Sequence, residues 1–265
     1  MTKKEDLLAK YLKVFPLALA LPRANECLVF GNKLLKRPVL DLGCGDGVFA
    51  KLCFRQKIDV GLDANQKEIS LADQNRVYQK AVVGLAAKMP FKDGYFQTVL
   101  ANSSLEHIKD LEPTLKEINR VLRNGGCLML TVPRPVIADC LFFPKVFKKL
   151  KLGWLARLYI DLKQRFWRHY NLLEEADWQK HLAKAGFKVK KSLTLIPRKV
   201  VTLHDIFYPL GLPYALSKRF FKGKLFFRPN WLARFLAKKL TQYCQVFEDN
   251  QGTTLYLEAV KVSTS

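Results

Sequence analysis

The residues most able to do chemistry lie in one short stretch, Asp41-Leu42-Gly43-Cys44-Gly45-Asp46-Gly47, with a further carboxylate, Asp63, twenty residues after Gly43. Gly43 and Gly45 let the backbone approach a ligand where any Cβ would clash. A dinucleotide-binding turn of the form G-x-G-x-x-G would need glycine at position 48, where the chain has Val48. Asp41 and Asp46 also put negative charge where a pyrophosphate would lie. The loop therefore suits a ligand without phosphate that carries a positive charge or an ammonium group. Asp63 can accept hydrogen bonds from both hydroxyls of a ribose; without it, the loop would read as a glycine turn with a helix-capping aspartate. Farther on, Glu106-His107 offers an imidazole whose ordinary pKa near 6.5 suits removal of a proton from an acceptor hydroxyl. A histidine hydrogen-bonded to backbone at a helix start is an equal reading, while His169 and His181 read as structural.

These groups need elements that end beside them. An apolar strand over 38–42 leads into the glycines, with a helix over 48–56 after it. A second strand, 57–63, ends at Asp63 and precedes a helix over 66–78. Strands are expected at 81–85, 96–101 and 127–132. A helix through Leu111, Leu115, Ile118 and Leu122 is expected to stop at Asn124-Gly125-Gly126. Strands separated by helices pair in parallel through right-handed crossovers, giving an open α/β sheet whose ligand lies beyond the carboxyl ends of its strands.

Val39-Leu40-Asp41-Leu42-Gly43-Cys44-Gly45-Asp46-Gly47, Val60-Gly61-Leu62-Asp63, Met89-Pro90-Phe91, Leu105-Glu106-His107-Ile108 and Arg120-Val121-Leu122-Arg123-Asn124-Gly125-Gly126 follow in unbroken order. Together they resemble class I S-adenosylmethionine-dependent methyltransferases of the type 11 domain. The resemblance covers about 37–133, resumes at 169–187 before a sixth strand, and ends with a seventh, antiparallel strand at 253–262. It implies a Rossmann-like, open, seven-stranded and mostly parallel sheet with helical insertions. It also implies S-adenosyl-L-methionine as cofactor, with Gly43, Gly45 and Gly47 along its methionine part, Asp63 on its ribose and Leu85-Ala86 along its adenine. Asp41, Cys44, Ala64, Asn102 and Ser103 complete the expected cofactor contacts. Leu85 departs from the family, because many relatives carry an aspartate there; one hydrogen bond lost to a neutral group costs about 0.5–1.5 kcal/mol. Gln97, after Phe96, is a second departure. Asn102-Ser103-Ser104-Leu105 also differs from the Asn-Pro-Pro-aromatic run of enzymes that methylate base or amide nitrogens.

The implied organisation is an N-terminal helical cap (1–36), the cofactor-binding core (37–133), an insertion (134–170), the core continued (171–196), a second insertion (197–247) and the final strand (248–265). The chain carries 45 Lys and Arg against 23 Asp and Glu, a net charge of +22, and +15 of this lies in 135–265. The windows 141–168 and 206–243 supply that excess and hold 17 of the 31 aromatic residues, so an anionic partner is indicated. In the first window Phe147, Leu150, Trp154, Leu158, Leu162 and Phe166 form a stripe at helical spacing. In the second, Trp231, Leu232, Phe235, Leu236, Leu240 and Tyr243 recur after Asn230, a candidate N-cap, and the run 220–228 alternates aromatics with cations. The stripes can pack together as a lid, lie on a membrane surface, or, less readily, bind RNA.

Six cysteines form no C-x-x-C pair, so neither a zinc module nor a disulfide framework is indicated, and no metal is expected. Lys3 and Lys4 precede the apolar 14–21, but Glu5, Asp6 and Pro16 disfavour a signal peptide and favour an amphipathic helix. The resulting expectation is a cytoplasmic methyltransferase, peripheral at the inner membrane face, that methylates an oxygen of a small, lipophilic, lipid-linked or glycan-like acceptor. His107 would be its catalytic base, with Arg23 and Trp154 beside the substrate. An RNA methyltransferase and a non-catalytic cofactor-binding module are the alternatives. Oligomeric state is not indicated.

Overall fold

Strand β1 (Val39–Leu42) is buried at every position, as a strand covered on both faces must be. In the computed structural model, which describes residues 1–31, 33–209 and 228–262, it is flanked by β2 (Ile58–Asp63) and β4 (Phe96–Asn102), both parallel to it. β3 (Tyr78–Val83) pairs in parallel outside β2, and β5 (Leu122–Pro133) in parallel outside β4. β6 (Phe187–Pro197), β7 (Val246–Phe247) and β8 (Gly252–Lys261) complete a sheet of order β3-β2-β1-β4-β5-β8-β6-β7, with β8 antiparallel to β5. The α/β class is as expected, but the sheet has eight strands instead of seven. The extra one is the two-residue β7, paired with Thr194 and Leu195 of β6.

The chain divides into two compact units. One contains 30–135, 168–193 and 254–265. Its helices are α3 (Val48–Cys53), α4 (Gln66–Asn75), α5 (Leu111–Val121) and α8 (Glu175–Lys184). α4 begins at Asn65, whose side chain accepts the Lys67 N–H, and ends at Arg76 in the left-handed conformation; it is shorter than expected, so β3 starts earlier, at Tyr78. α5 buries Leu111, Thr114, Leu115, Ile118 and Val121 against the sheet core. The expected glycine stop is instead a bulge within β5: Phe96 pairs with Leu122 and Thr98 with Cys127, so the residues between them loop out, with Gly125 at φ +71°.

The other unit contains 1–29, 136–167 and 194–253. α1 (Lys3–Val14) starts with a reciprocal cap between Thr2 and Glu5 and packs against α10 (Asn230–Leu240). α2 is Leu17–Phe30, whose Asn25 is fully buried and bonds Leu21, Tyr243 and Gln245. Asn230 is the first residue of α10 and Pro229 its N-cap, so the expected asparagine cap is absent. The stripe expected over 147–166 is broken into α6 (Phe142–Lys149) and α7 (Gly153–Trp167), with Lys151 at φ +59° between them. Both meet at Asp205 of α9 (Arg198–Phe207), which accepts the Phe142 and Phe143 N–H groups, the Tyr159 hydroxyl and the Lys163 ammonium. The aromatic-cation run 220–227 lies outside the described residues. Among the described residues no helix is long and apolar enough to cross a membrane.

Candidate cofactor pocket and its polar edge

The turn after β1 is held from two sides. Gly43 N–H and Cys44 N–H donate to the Leu62 carbonyl at 2.8 and 3.1 Å, and Gly45 N–H donates to Asp63 Oδ2 at 3.0 Å. Asp63 Oδ1 accepts the Asn65 N–H at 2.8 Å, so one carboxylate joins the glycine turn to the start of α4. Gly43 has φ +73°, and a Cβ there would stand 2.5 Å from that of Ser104. Glycine is thus required both by conformation and by the closeness of the chain after β4.

Beneath the turn, the Tyr78 hydroxyl donates to Asp41 Oδ2 at 2.6 Å. Burial raises the Asp41 carboxyl to about 6, opposed by the Tyr78 bond and assisted by the nearby Asp63 charge. Burial also drives the Cys44 thiol far above its ordinary range, so it is no nucleophile at neutral pH.

A pocket of about 370 Å³ opens over this turn, beyond the carboxyl ends of β1, β2 and β4. Gly43, Asp63 and Ala64 line it from one side, Leu85 and Ala86 from another, and Ser103 and His107 from a third. Residues 40–130 match the family described as methyltransferase domain. Over 130 residues the chain is 32% identical to malonyl-[acyl-carrier protein] O-methyltransferase of Legionella pneumophila, covering 47% of this chain and 43% of that protein. Residues 40–130 form a class I S-adenosylmethionine-dependent methyltransferase domain.

The chain is also 31% identical over 98 residues to demethylmenaquinone methyltransferase of Chlorobaculum tepidum, covering 36% of this chain and 40% of that one. The matched stretch spans less than half of either relative. An S-adenosylmethionine-dependent methyltransferase of Thermotoga maritima has the same fold, with a TM-score of 0.59 at 17% identity over 92% of this chain and 91% of that one.

The other expected residues of the methyltransferase site lie outside the pocket lining. Asp41 and Gly47 support the turn from below: a Cβ at Gly47 would come 3.0 Å from the Tyr78 ring. Gly45 is bonded to Asp63, and Asn102 accepts the Thr131 hydroxyl at 2.7 Å. Thr131 in turn receives the Ser103 N–H, which holds Ser103 at φ +46° at the pocket edge. Leu85, the departure from the family, is 65% exposed in the pocket wall. Arg23 pairs with Glu26 at 2.7 Å on α2, and Trp154 stands exposed on α7; neither lines the pocket.

Sequence reasoning missed Ser104, Lys109 and Asp110 as pocket residues, and it missed the neighbour of His107. His169, read as structural, has its ring centroid 5.3 Å from that of His107. Burial, with a further contribution from His107, lowers His169 to about 4 and keeps it neutral at physiological pH. The pairing comes from a loop far along the chain, and no local spacing announces it.

Proposed function

We propose that this methyltransferase moves the methyl group of S-adenosylmethionine to an oxygen of a lipophilic or lipid-linked acceptor at an anionic membrane surface. The observation that carries this reading is the outward face of α7. Trp154, Leu158, Leu162 and Phe166, four residues apart, are 66, 46, 55 and 66% exposed, whereas Ala156 and Lys163 of the same helix are buried. A helix with its apolar stripe in water and a lysine inside has the amphipathic character of an interfacial helix. Lys151, Arg157, Arg165 and Arg168 are exposed around the stripe. At about 1 kcal/mol per cation near anionic lipid, four of them contribute about 4 kcal/mol, close to a thousandfold in partitioning. α10 repeats the pattern, with Trp231 and Phe235 exposed beside Arg234, Lys238 and Lys239, and with Ala233 and Ala237 buried.

In the pocket, Asp63 holds the ribose, the glycine turn borders the methionine part, and His107 works on the acceptor hydroxyl. The reaction itself needs the acceptor oxygen in line with the methyl–sulfur bond, so positioning is much of the catalysis. The name of one relative specifies transfer to an oxygen-bearing, carrier-bound malonyl group, and that of another a lipophilic acceptor, demethylmenaquinone.

The test combines flotation with methyl tracing. The protein should float with phosphatidylglycerol-containing vesicles and lose that behaviour when Leu158 and Phe166 become Glu. Methyl-labelled cofactor incubated with fractionated cell extract should mark the organic phase. Label in RNA would replace the acceptor assignment, and cofactor binding without label in any fraction would favour a non-catalytic module.

A further inference from the structure

Glu106, His107 and His169 bring three ligand-type atoms within 4.8 Å of one another at the edge of the cofactor pocket. The two segments that carry them are fastened together. Tyr170 N–H and Asn171 N–H donate to the Glu106 carbonyl at 2.7 and 3.2 Å. The Asn171 carboxamide donates to the Leu105 and Ile108 carbonyls at 3.0 and 2.6 Å. These four bonds hold the backbones that carry the three side chains in fixed register, part of the preorganisation that a binding constellation requires.

The orientation of His107 is also defined. Its Nδ1 lies 3.3 Å from the Arg168 carbonyl, an acceptor only, so the ring donates through Nδ1, and Nε2 is its second, ligand-type nitrogen. That nitrogen is 3.9 Å from Oε1 of the buried Glu106. This is too long for a direct hydrogen bond. Two ligands bonded at about 2.1 Å to one cation stand about 3.4 Å apart in a tetrahedron and about 4.2 Å apart across the centre. Histidine bonded to a carbonyl through one nitrogen and presenting the other is the usual arrangement of a metal-binding imidazole.

We infer that Glu106, His107 and His169 bind a divalent first-row transition cation that opens onto the methyl-transfer pocket. The inference rests on the proposed role of His107 toward the acceptor and specifies how that role is performed. Two imidazoles and one carboxylate favour zinc or iron over magnesium or calcium, and three protein ligands leave a coordination position open. The acceptor oxygen binds the cation there and releases its proton to solvent. It then bonds to the methyl carbon as the carbon–sulfur bond breaks, with that electron pair remaining on sulfur, so the sulfonium becomes a thioether. His107 need not take the proton itself.

The experiment uses full-length protein without a histidine tag, stripped with chelator and titrated with Co²⁺ alone by visible absorption. One Co²⁺ per chain should give saturable d–d bands that Zn²⁺ abolishes. His169→Ala should weaken Co²⁺ binding at least about tenfold, while calorimetry with S-adenosylhomocysteine shows unchanged cofactor affinity. Glu106→Gln provides the same comparison if His169→Ala fails to fold. Absence of saturable absorption, or wild-type Co²⁺ affinity in a folded variant, overturns the site. Methyl tracing separates the two proposals: Co²⁺ binding without transfer keeps the metal site and rejects the reaction, while transfer by metal-free protein rejects the cation's role.

Discussion

Replacing Asp63 with Asn keeps the shape of the side chain but removes its charge and turns one of its two acceptors into a donor. In the wild type Oδ2 accepts the Gly45 N–H and Oδ1 accepts the Asn65 N–H, leaving each oxygen a second lone pair for a ribose hydroxyl. A carboxamide has one oxygen, so its NH₂ must face one of those two backbone donors whichever way it is turned. The loss divides between two measurements. The broken backbone contact lowers the stability of the free protein, whereas the missing acceptor at the ribose lowers affinity. A charge-assisted hydrogen bond contributes about 1.5–3 kcal/mol, so the dissociation constant should rise about 10- to 150-fold. Calorimetric titration with S-adenosylhomocysteine reads the second loss, and thermal unfolding without ligand reads the first. A lower Tm with affinity within about threefold of wild type would make Asp63 a staple for the turn and refute its role at the ribose.

Gly43→Ala should abolish measurable cofactor binding, because its Cβ meets that of Ser104 at 2.5 Å; adding Ser104→Gly should recover part of the affinity. Asp205→Ala strands the buried Lys163 and should destabilise the protein by about 3–5 kcal/mol in urea unfolding, with much of the loss restored by adding Lys163→Met. Asp41 makes stability depend on pH, because burial raises its carboxyl from 3.8 to about 6. Protonation therefore favours the folded state: the contribution is complete below pH 3.8 and is lost as the pH rises through about 6, some 3 kcal/mol in all. Asp41→Asn should remove that slope, seen as a wild-type-minus-variant difference between unfolding at acid and neutral pH.

The site's first half is legible because its signals are local. Gly43, Gly45 and Asp63 act through backbone conformation and strand ends, which neighbouring residues dictate. The second half depends on distant partners. Lys163 would be assigned to solvent by any hydropathy pattern, yet it is buried because Asp205, 42 residues on, bonds it and because Tyr208 lies 4.1 Å beneath its ammonium. The apolar stripe of α7 was visible, but the side it faces was not, since that depends on this ion pair. Likewise Asn124-Gly125-Gly126 resembles a helix stop in isolation, and only the pairing of Phe96 with Leu122 makes it a bulge within a strand. The partnership of His107 and His169 is hidden for the same reason, because it is made by the Tyr170 and Asn171 bonds to Glu106.

The position of β8 governs how the chain can assemble. Of the eight strands of this sheet it comes last in chain order, yet it lies inside the sheet, between β5 and β6. Until it emerges, β5 presents an open edge from Cys127 to Pro133, the row that β8 eventually covers from Val260 to Thr254. A nascent chain paused before Gly252 therefore carries the parallel strands β1 to β5 with an adhesive flank. Such an intermediate is exposed to pairing with other chains and to chaperone capture. Supplying 252–262 separately as a peptide is correspondingly a route to splitting the protein into two complementing fragments.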